Sequence, residues 1–449
     1  MMCIVSALSS GKLAFILMLV IVILTIIDSQ FVNVFYGTDL GTPGNLHLLL
    51  FVSLIVIASI INTMSLGFVK SNDSRETTSR TLLHRIAYFG TVALQSATVI
   101  IMLIIISEML VFHNYDKLSS LLVVYFSHLW SSFILGLLSL RFIQWYRISK
   151  SFSLLIYGVV FGVIIFITII TLPLLTEQFI NQPQSIYPRH YIGLIAAVIV
   201  PSRDIAFIYG LGNYVLPLLI ILSWILTVLL LKTYIDKIGK KKFWLIVSIP
   251  LIYQLFSFVV RDSNLVSDPA LVEIFYSQQF QFLFAISYQV SGSFFAIALL
   301  GVARKMKQKG MKNYLIISSI GIICLFSSVQ PGMPFYAAYP PFGLVTLLFL
   351  GLSSYLLLIG ILGCAANVSR DNELRREIYK GLVDSDMFKN MGMAEMQLEM
   401  EKKVLPLVSN IELLDDMRSM EPNEEDVKTM INDVLNELYS KRSHIKSGK

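Results

Sequence analysis

Long, nearly uninterrupted apolar runs dominate the chain. A transmembrane helix needs roughly 17 to 25 such residues to cross ~30 Å of hydrocarbon at 1.5 Å per residue. Runs of that size occur at 13–35, 46–69, 86–112, 119–142, 153–175, 213–235, 243–260, 280–303, 313–329 and 341–364, the seventh and ninth being the shortest. The pattern predicts an all-α protein, a polytopic transmembrane helical bundle of about ten spans, followed by a helical cytoplasmic C-terminal tail. The boundary falls between residues 1–364, the transmembrane domain, and residues 365–449, the tail. The first span resembles a signal-peptide core behind Lys12. No small-x-small cleavage site follows Asp28, so an uncleaved anchor is expected.

Shorter features fill the connections. Tyr191 to Val200 is a ten-residue apolar run, too short to cross a bilayer, and reads as an interfacial or re-entrant helix ending at Pro201. Asp268 before Pro269 has the form of an N-cap and first helical position, which predicts one helix from about Pro269 to Ala303. The stretch Gln330 to Gly343 holds four prolines and four aromatics and suits a rigid cap or aromatic belt at headgroup depth. Pro173, Pro217 and Pro250 are expected kinks, and Gly158 with Gly162 forms a GxxxG expected to serve helix packing.

Charge orients the bundle. With the N-terminus inside, 18 of the 22 Lys and Arg among residues 1–364 fall on inner segments. Lys117, Arg189, Arg203 and Arg261 alone fall outside. The bias recurs at every inner loop, as the positive-inside rule requires, so a multi-pass cell-membrane protein with both termini cytoplasmic is expected. The formal charge of +6 hides 22 cations against 12 acids before residue 365 and 13 against 17 after it. The basic excess thus belongs to membrane loops, the expected partner is the lipid bilayer, and no nucleic acid is expected.

The tail begins as a continuation of the last span, giving an expected unbroken helix from Pro341 to about Tyr379. Arg370, Arg375, Arg376 and Lys380 lie just past the span, where anionic headgroups would hold them. The following segment is expected to break at Gly392 and Pro406, and residues after Pro422 place Val427, Met430, Ile431, Val434, Leu435 and Leu438 on one helical face. Eight of the 17 methionines lie in the tail, which is expected either to pack internally or against inner loops, or to offer a cytoplasmic protein partner an adaptable Met-rich surface.

Candidate chemistry is sparse. Ionisable groups at membrane depth are costly, so Asp28, Glu108, His113 and His128 form the candidate intramembrane polar pathway. Glu108 and His128, on consecutive spans, suit a proton relay or a polar constriction. His47, His113, His128 and His190 with Asp28 or Glu108 offer imidazole and carboxylate ligands, but no HxH, HExxH or CxxC spacing supports a metal, and structural interhelical bonds are the ordinary alternative. Cys3, Cys324 and Cys364 are too scattered for a disulfide framework or a zinc site. No Walker loop, dinucleotide fingerprint, metalloprotease motif or nucleophile elbow occurs, so no catalytic residue, metal or cofactor is expected.

The stretch YAAYPPFGLVTLLFLGLSSYLLLIGILGCAANVSRDNELRREI, with the later MGMAEMQLEMEKKV, resembles a group of uncharacterised multi-pass membrane proteins of ammonia-oxidising archaea. The resemblance covers about a fifth of the chain, in the last span and juxtamembrane helix. It implies an archaeal cell membrane and a signalling-like linker, and it brings no activity. The expected function is that of a non-enzymatic receptor, sensor or scaffold relaying to the tail. The alternative is a secondary transporter with an inverted five-plus-five helix plan.

Overall fold

The computed structural model describes residues 12–35, 44–73, 82–112, 115–181, 203–232, 235, 239–262, 287–329, 343–379 and 386–414. These form helices, with no strand among the described residues. In chain order they are α1 (Lys12–Phe35), α2 (Gly44–Asp73), α3 (Leu82–Phe112), α4 (Lys117–Ser149), α5 (Phe152–Asn181), α6 (Arg203–Leu231), α7 (Lys240–Val247), α8 (Ile249–Asp262), α9 (Ser287–Lys305), α10 (Lys309–Ser328), α11 (Leu344–Arg370), α12 (Asn372–Tyr379) and α13 (Asp386–Leu414).

Among the described residues seven helices are long and apolar enough to cross a membrane: α2, α3, α4, α5, α6, α10 and α11. The short run 313–329 is therefore carried on a full-length helix. Of the other expected spans, 13–35 corresponds to α1, apolar over Ala14–Asp28, and 280–303 to α9, described from Ser287. The run 243–260 is divided at Ser248 into α7 and α8. Pro250 has no N–H for the Ile246 carbonyl and its ring crowds that oxygen, so the ladder is interrupted there. The Trp224 indole donates to the neighbouring Val247 carbonyl at 2.9 Å. The other two prolines, Pro173 and Pro217, lie inside continuous helices α5 and α6. The run 191–200, most of the expected Pro269–Ala303 helix, the stretch 330–342 and the segment after Leu414 lie outside the described residues.

Burial sorts the helices. The apolar core of α11 is 100% buried and that of α10 89%, whereas the other five are 28% to 50% buried. α11 is therefore the axial helix, in contact with α1, α2, α3, α4, α10 and α13. The partly buried helices turn large apolar side chains outward, among them Leu103 on α3, Phe133 on α4 and Phe166 on α5, a surface compatible with lipid. α10 runs antiparallel to α11: the Ser328 hydroxyl at its C-terminus donates to the Thr346 carbonyl at 2.8 Å, and Gln308 before its N-terminus donates to Asp371 at 2.5 Å. This antiparallel pair sets Lys309 and Lys312 of α10 beside Arg370 at one end of the bundle, called here the Arg141 end; the opposite one is the Asp28 end.

Small residues make the axial packing possible. A Cβ on Gly360 would lie 2.8 Å from the Ser318 backbone nitrogen and 2.9 Å from the Tyr314 carbonyl, so α10 and α11 touch backbone to backbone. The GxxxG of α5 is looser. A Cβ on Gly158 would lie 3.4 Å from Phe142 and Ile143 of α4, and the Gly158 carbonyl accepts the Ser139 hydroxyl at 2.9 Å, while a Cβ on Gly162 would have only the Ser139 Oγ within 4 Å, at 3.9 Å. Packing between α4 and α5 is thus its role, but the tightest approach lies elsewhere.

Two expectations for the juxtamembrane region are corrected. The last span does not continue unbroken to Tyr379, because Asp371 is extended (φ −94°, ψ 111°) and ends α11. Its carboxylate accepts the N–H groups of Glu373 and Leu374 at 2.8 and 3.1 Å, capping α12 and thereby favouring a new helix over continuation. Nor does the next segment break at Gly392 and Pro406, since α13 runs through both. Gly392 serves instead for close contact: its Cβ would lie 2.1 Å from a Val368 methyl of α11.

Gly360→Ala is expected to lower stability in detergent by about 1–3 kcal/mol through overpacking against backbone. Gly136→Ala, where nothing lies within 4 Å, should leave the unfolding midpoint unchanged. Equal midpoints for the two variants would refute the axial packing described here.

Candidate functional site

α11 is held at both ends by polar groups from other helices. At its N-terminus, Gly343 adopts a left-handed φ of 91°, a conformation open to glycine, and turns the chain into the helix. The Gly343 and Thr346 N–H groups then point at Asp28 of α1 and donate to its two oxygens at 3.0 and 2.8 Å. Asp28 is fully buried, and among the described residues no basic side chain pairs with it. A carboxylate there satisfies N–H groups that have no intrahelical partner and meets the positive end of the helix dipole. The Thr346 hydroxyl closes the turn on the Gly343 carbonyl at 2.6 Å.

Midway along the helix, a second contact forms. Gln95 of α3 donates to the Leu348 carbonyl at 2.8 Å and accepts from Asn62 of α2 at 2.7 Å. Three helices are thereby fixed in register by amides buried in an apolar bundle, where an unmade hydrogen bond is expensive.

The Arg141 end is where α13 docks. Arg141 of α4 donates from one terminal nitrogen to both oxygens of Glu395, at 2.7 and 2.8 Å, and the Trp145 indole donates to the same carboxylate at 2.8 Å. Gln144 accepts from the other terminal nitrogen of Arg141 at 3.0 Å, and the guanidinium lies 5.8 Å from the Trp145 ring centre. The acid is only 13% exposed, so the pair is shielded from the screening that weakens surface ion pairs. Asn390 donates to the Ser151 hydroxyl at 2.9 Å, and Arg370 pairs with Glu399 at 3.1 Å. Between these polar contacts Met387, Phe388, Met391 and Ala394 are buried against the bundle.

The sequence-expected site residues are placed apart. Glu108 accepts the Asp116 backbone N–H at 2.8 Å across the α3–α4 turn. His128 is buried and its Nδ1 bonds the Val124 carbonyl of its own helix at 2.8 Å. No hydrogen bond joins Glu108, His128 and Asp28 to one another; each is used for a separate backbone contact. His113 and His190 lie outside the described residues, and no cluster of three or more His, Cys, Asp or Glu able to hold a metal occurs among the described ones. Arg370 and Arg375, expected against lipid headgroups, both reach α13, the second donating to the Met396 sulfur at 2.6 Å. Lys380 lies outside the described residues, and of Arg376 only its place in α12 is described.

Sequence reasoning missed Glu395, Trp145, Asn62 and Gln95. A signal for Glu395 existed: it follows Phe388 and Met391 at helical spacing, an acid on an otherwise apolar face. No protein-family model, curated protein or solved structure matches this chain.

Asp28→Ala is expected to cost about 1–3 kcal/mol by orphaning two buried N–H groups. Glu108→Gln and His128→Ala, sharing no bond, should add within about 0.5 kcal/mol in a double-mutant cycle. Chemical denaturation in detergent reads both, and a coupling well above that limit would restore the relay.

Proposed function

We propose that the chain is a non-enzymatic multi-pass membrane sensor or scaffold that signals by contact through its tail. In this reading it crosses a cell membrane about ten times, with both termini and the Arg141 end in the cytoplasm. One observation carries the proposal: the axial helix is gripped by Asp28 at one end and by α13 at the other, with almost no surface of its own facing out of the bundle. Movement of α11 at the Asp28 end therefore has an outlet at the other, where Val368 abuts Gly392 and Arg370 holds Glu399.

The coupling is lateral. Because α11 stops at Asp371, it cannot drive the tail as one rigid rod. It pushes α13 sideways against the fixed Arg141–Glu395 clasp on α4, and displacement of that clasp is the switching event. A cytoplasmic protein partner would read the part of α13 beyond the docked face, starting at the exposed Met400. The basic residues gathered at the Arg141 end support the orientation by the positive-inside rule.

Spin labels on Arg147→Cys and Met400→Cys in nanodiscs should report a single α4–α13 distance, which broadens or lengthens in Glu395→Gln and also in Asp28→Asn at the far end. An Asp28→Asn distribution identical to the parent would defeat the relay. For orientation, a cysteine at Lys307 should react with an impermeant maleimide in inverted vesicles and stay unreactive in right-side-out ones; the opposite result would reverse the topology.

A further inference from the structure

α7 touches the bundle along one narrow ridge. Of its eight residues Phe243 and Val247, one turn apart, are buried, and the Trp224 indole of α6 pins the helix through the Val247 carbonyl. The other six face outward: Lys240, Lys241 and Lys242, then Trp244, Leu245 and Ile246. Leu245 is 71% exposed. The apolar part goes on past the Ser248 break, because Ile249, Ile252 and Leu255 are exposed at helical spacing along α8. One surface therefore passes from three cations to hydrocarbon within a single turn.

The charge on this surface has no counterpart nearby. Residues 240–242 are the chain's one run of three consecutive basic residues, and no Asp or Glu occurs from 240 to 261. Among the described residues no acid pairs with any of the three lysines. Lys232, just past α6, is a fourth exposed cation. At 1.5 Å per residue α7 is only about 12 Å long and cannot cross a bilayer. Its exposed indole, directly beyond the lysines, has the place that Trp takes where a membrane meets water.

The two halves of the face together select its occupant. A small soluble anion would use the lysines and leave the apolar stripe in water, whereas bare hydrocarbon would cover the stripe and leave three ammonium groups at its edge without counter-charge. A lipid with a negative headgroup meets both. We infer that the α7–α8 face is a binding site for an anionic phospholipid, its headgroup phosphate on Lys240, Lys241 and Lys242 and its acyl chains along Trp244, Leu245, Ile249 and Ile252. The inference rests on the membrane reading but not on the relay, since Asp28, α11 and the Arg141–Glu395 clasp take no part in this face.

The full chain is reconstituted in phosphatidylcholine nanodiscs holding a minor fraction of either brominated phosphatidylglycerol or brominated phosphatidylcholine. Quenching of Trp244 is read as the difference between the parent and Trp244→Phe. Each lysine near an anionic headgroup is worth roughly fivefold in local enrichment, so phosphatidylglycerol is expected to quench several-fold better than phosphatidylcholine at equal fraction. Lys240→Gln with Lys241→Gln and Lys242→Gln should bring the two lipids level, with an unchanged unfolding midpoint. Lys307→Gln with Lys309→Gln and Lys312→Gln removes equal charge elsewhere and should keep the preference. Equal quenching by both lipids in the parent would overturn the inference, as would a preference that survives the first triple variant or is lost equally in the second, the mark of overall charge. So would Trp244 quenched by neither lipid, or a preference erased by inorganic phosphate at matched ionic strength, which would assign the lysines to a soluble anion.

Discussion

A helix with neighbours on every side must meet each of them closely, and in an apolar environment that demand governs the whole bundle. Hydrocarbon solvates a leucine as well as another leucine does, so helices gain little from the hydrophobic effect by associating within lipid; close van der Waals contact and interhelical hydrogen bonds hold them. α11 shows both. Its glycines admit α10 to backbone distance, and the carbonyl of Leu348 and the amides of Gly343 and Thr346 take partners from other helices. The lipid-compatible faces of α2, α3 and α4 follow from their place around it.

The polar residues have a common logic. Asp28 and Gln95 each bond the backbone of α11, Asn62 braces Gln95, and Glu395 ties the tail to side chains of α4. The two ends differ in strength of exposure. The Asp28 contact is sealed, while the Arg141–Glu395 clasp is partly open to solvent, and opening a partly hydrated contact costs less than breaking a sealed one.

Much of the fold was legible because apolar runs of membrane length leave the chain few options. Each of the ten runs has helix within it, and the short 313–329 run proved to be one of the two most buried helices. The division of 243–260 at Ser248 was visible only as Pro250, and a proline by itself does not say whether a helix bends or splits, as Pro173 and Pro217 show. The candidate site was less legible. Membrane depth singles out Asp28, Glu108 and His128 as costly, but whether costly groups meet one another or a backbone amide depends on helix rotation, which local sequence does not specify. The continuous helix expected through Asp371 fails for a related reason, since local sequence does not say that its carboxylate caps a second helix.

The axial position of α11 also bears on how the protein is made. Ribosomes deliver the chain from its N-terminus, so the helix that ends up central is synthesised after α1 to α10 have emerged. The surrounding helices must first sit together without it, either spread apart or closed on a provisional packing that later opens. Asn62, Gln95 and Asp28 would spend that interval with water, lipid headgroups or an insertion factor in place of the α11 backbone. Biogenesis thus has a late, concerted step in which one incoming helix consolidates the register of those already inserted.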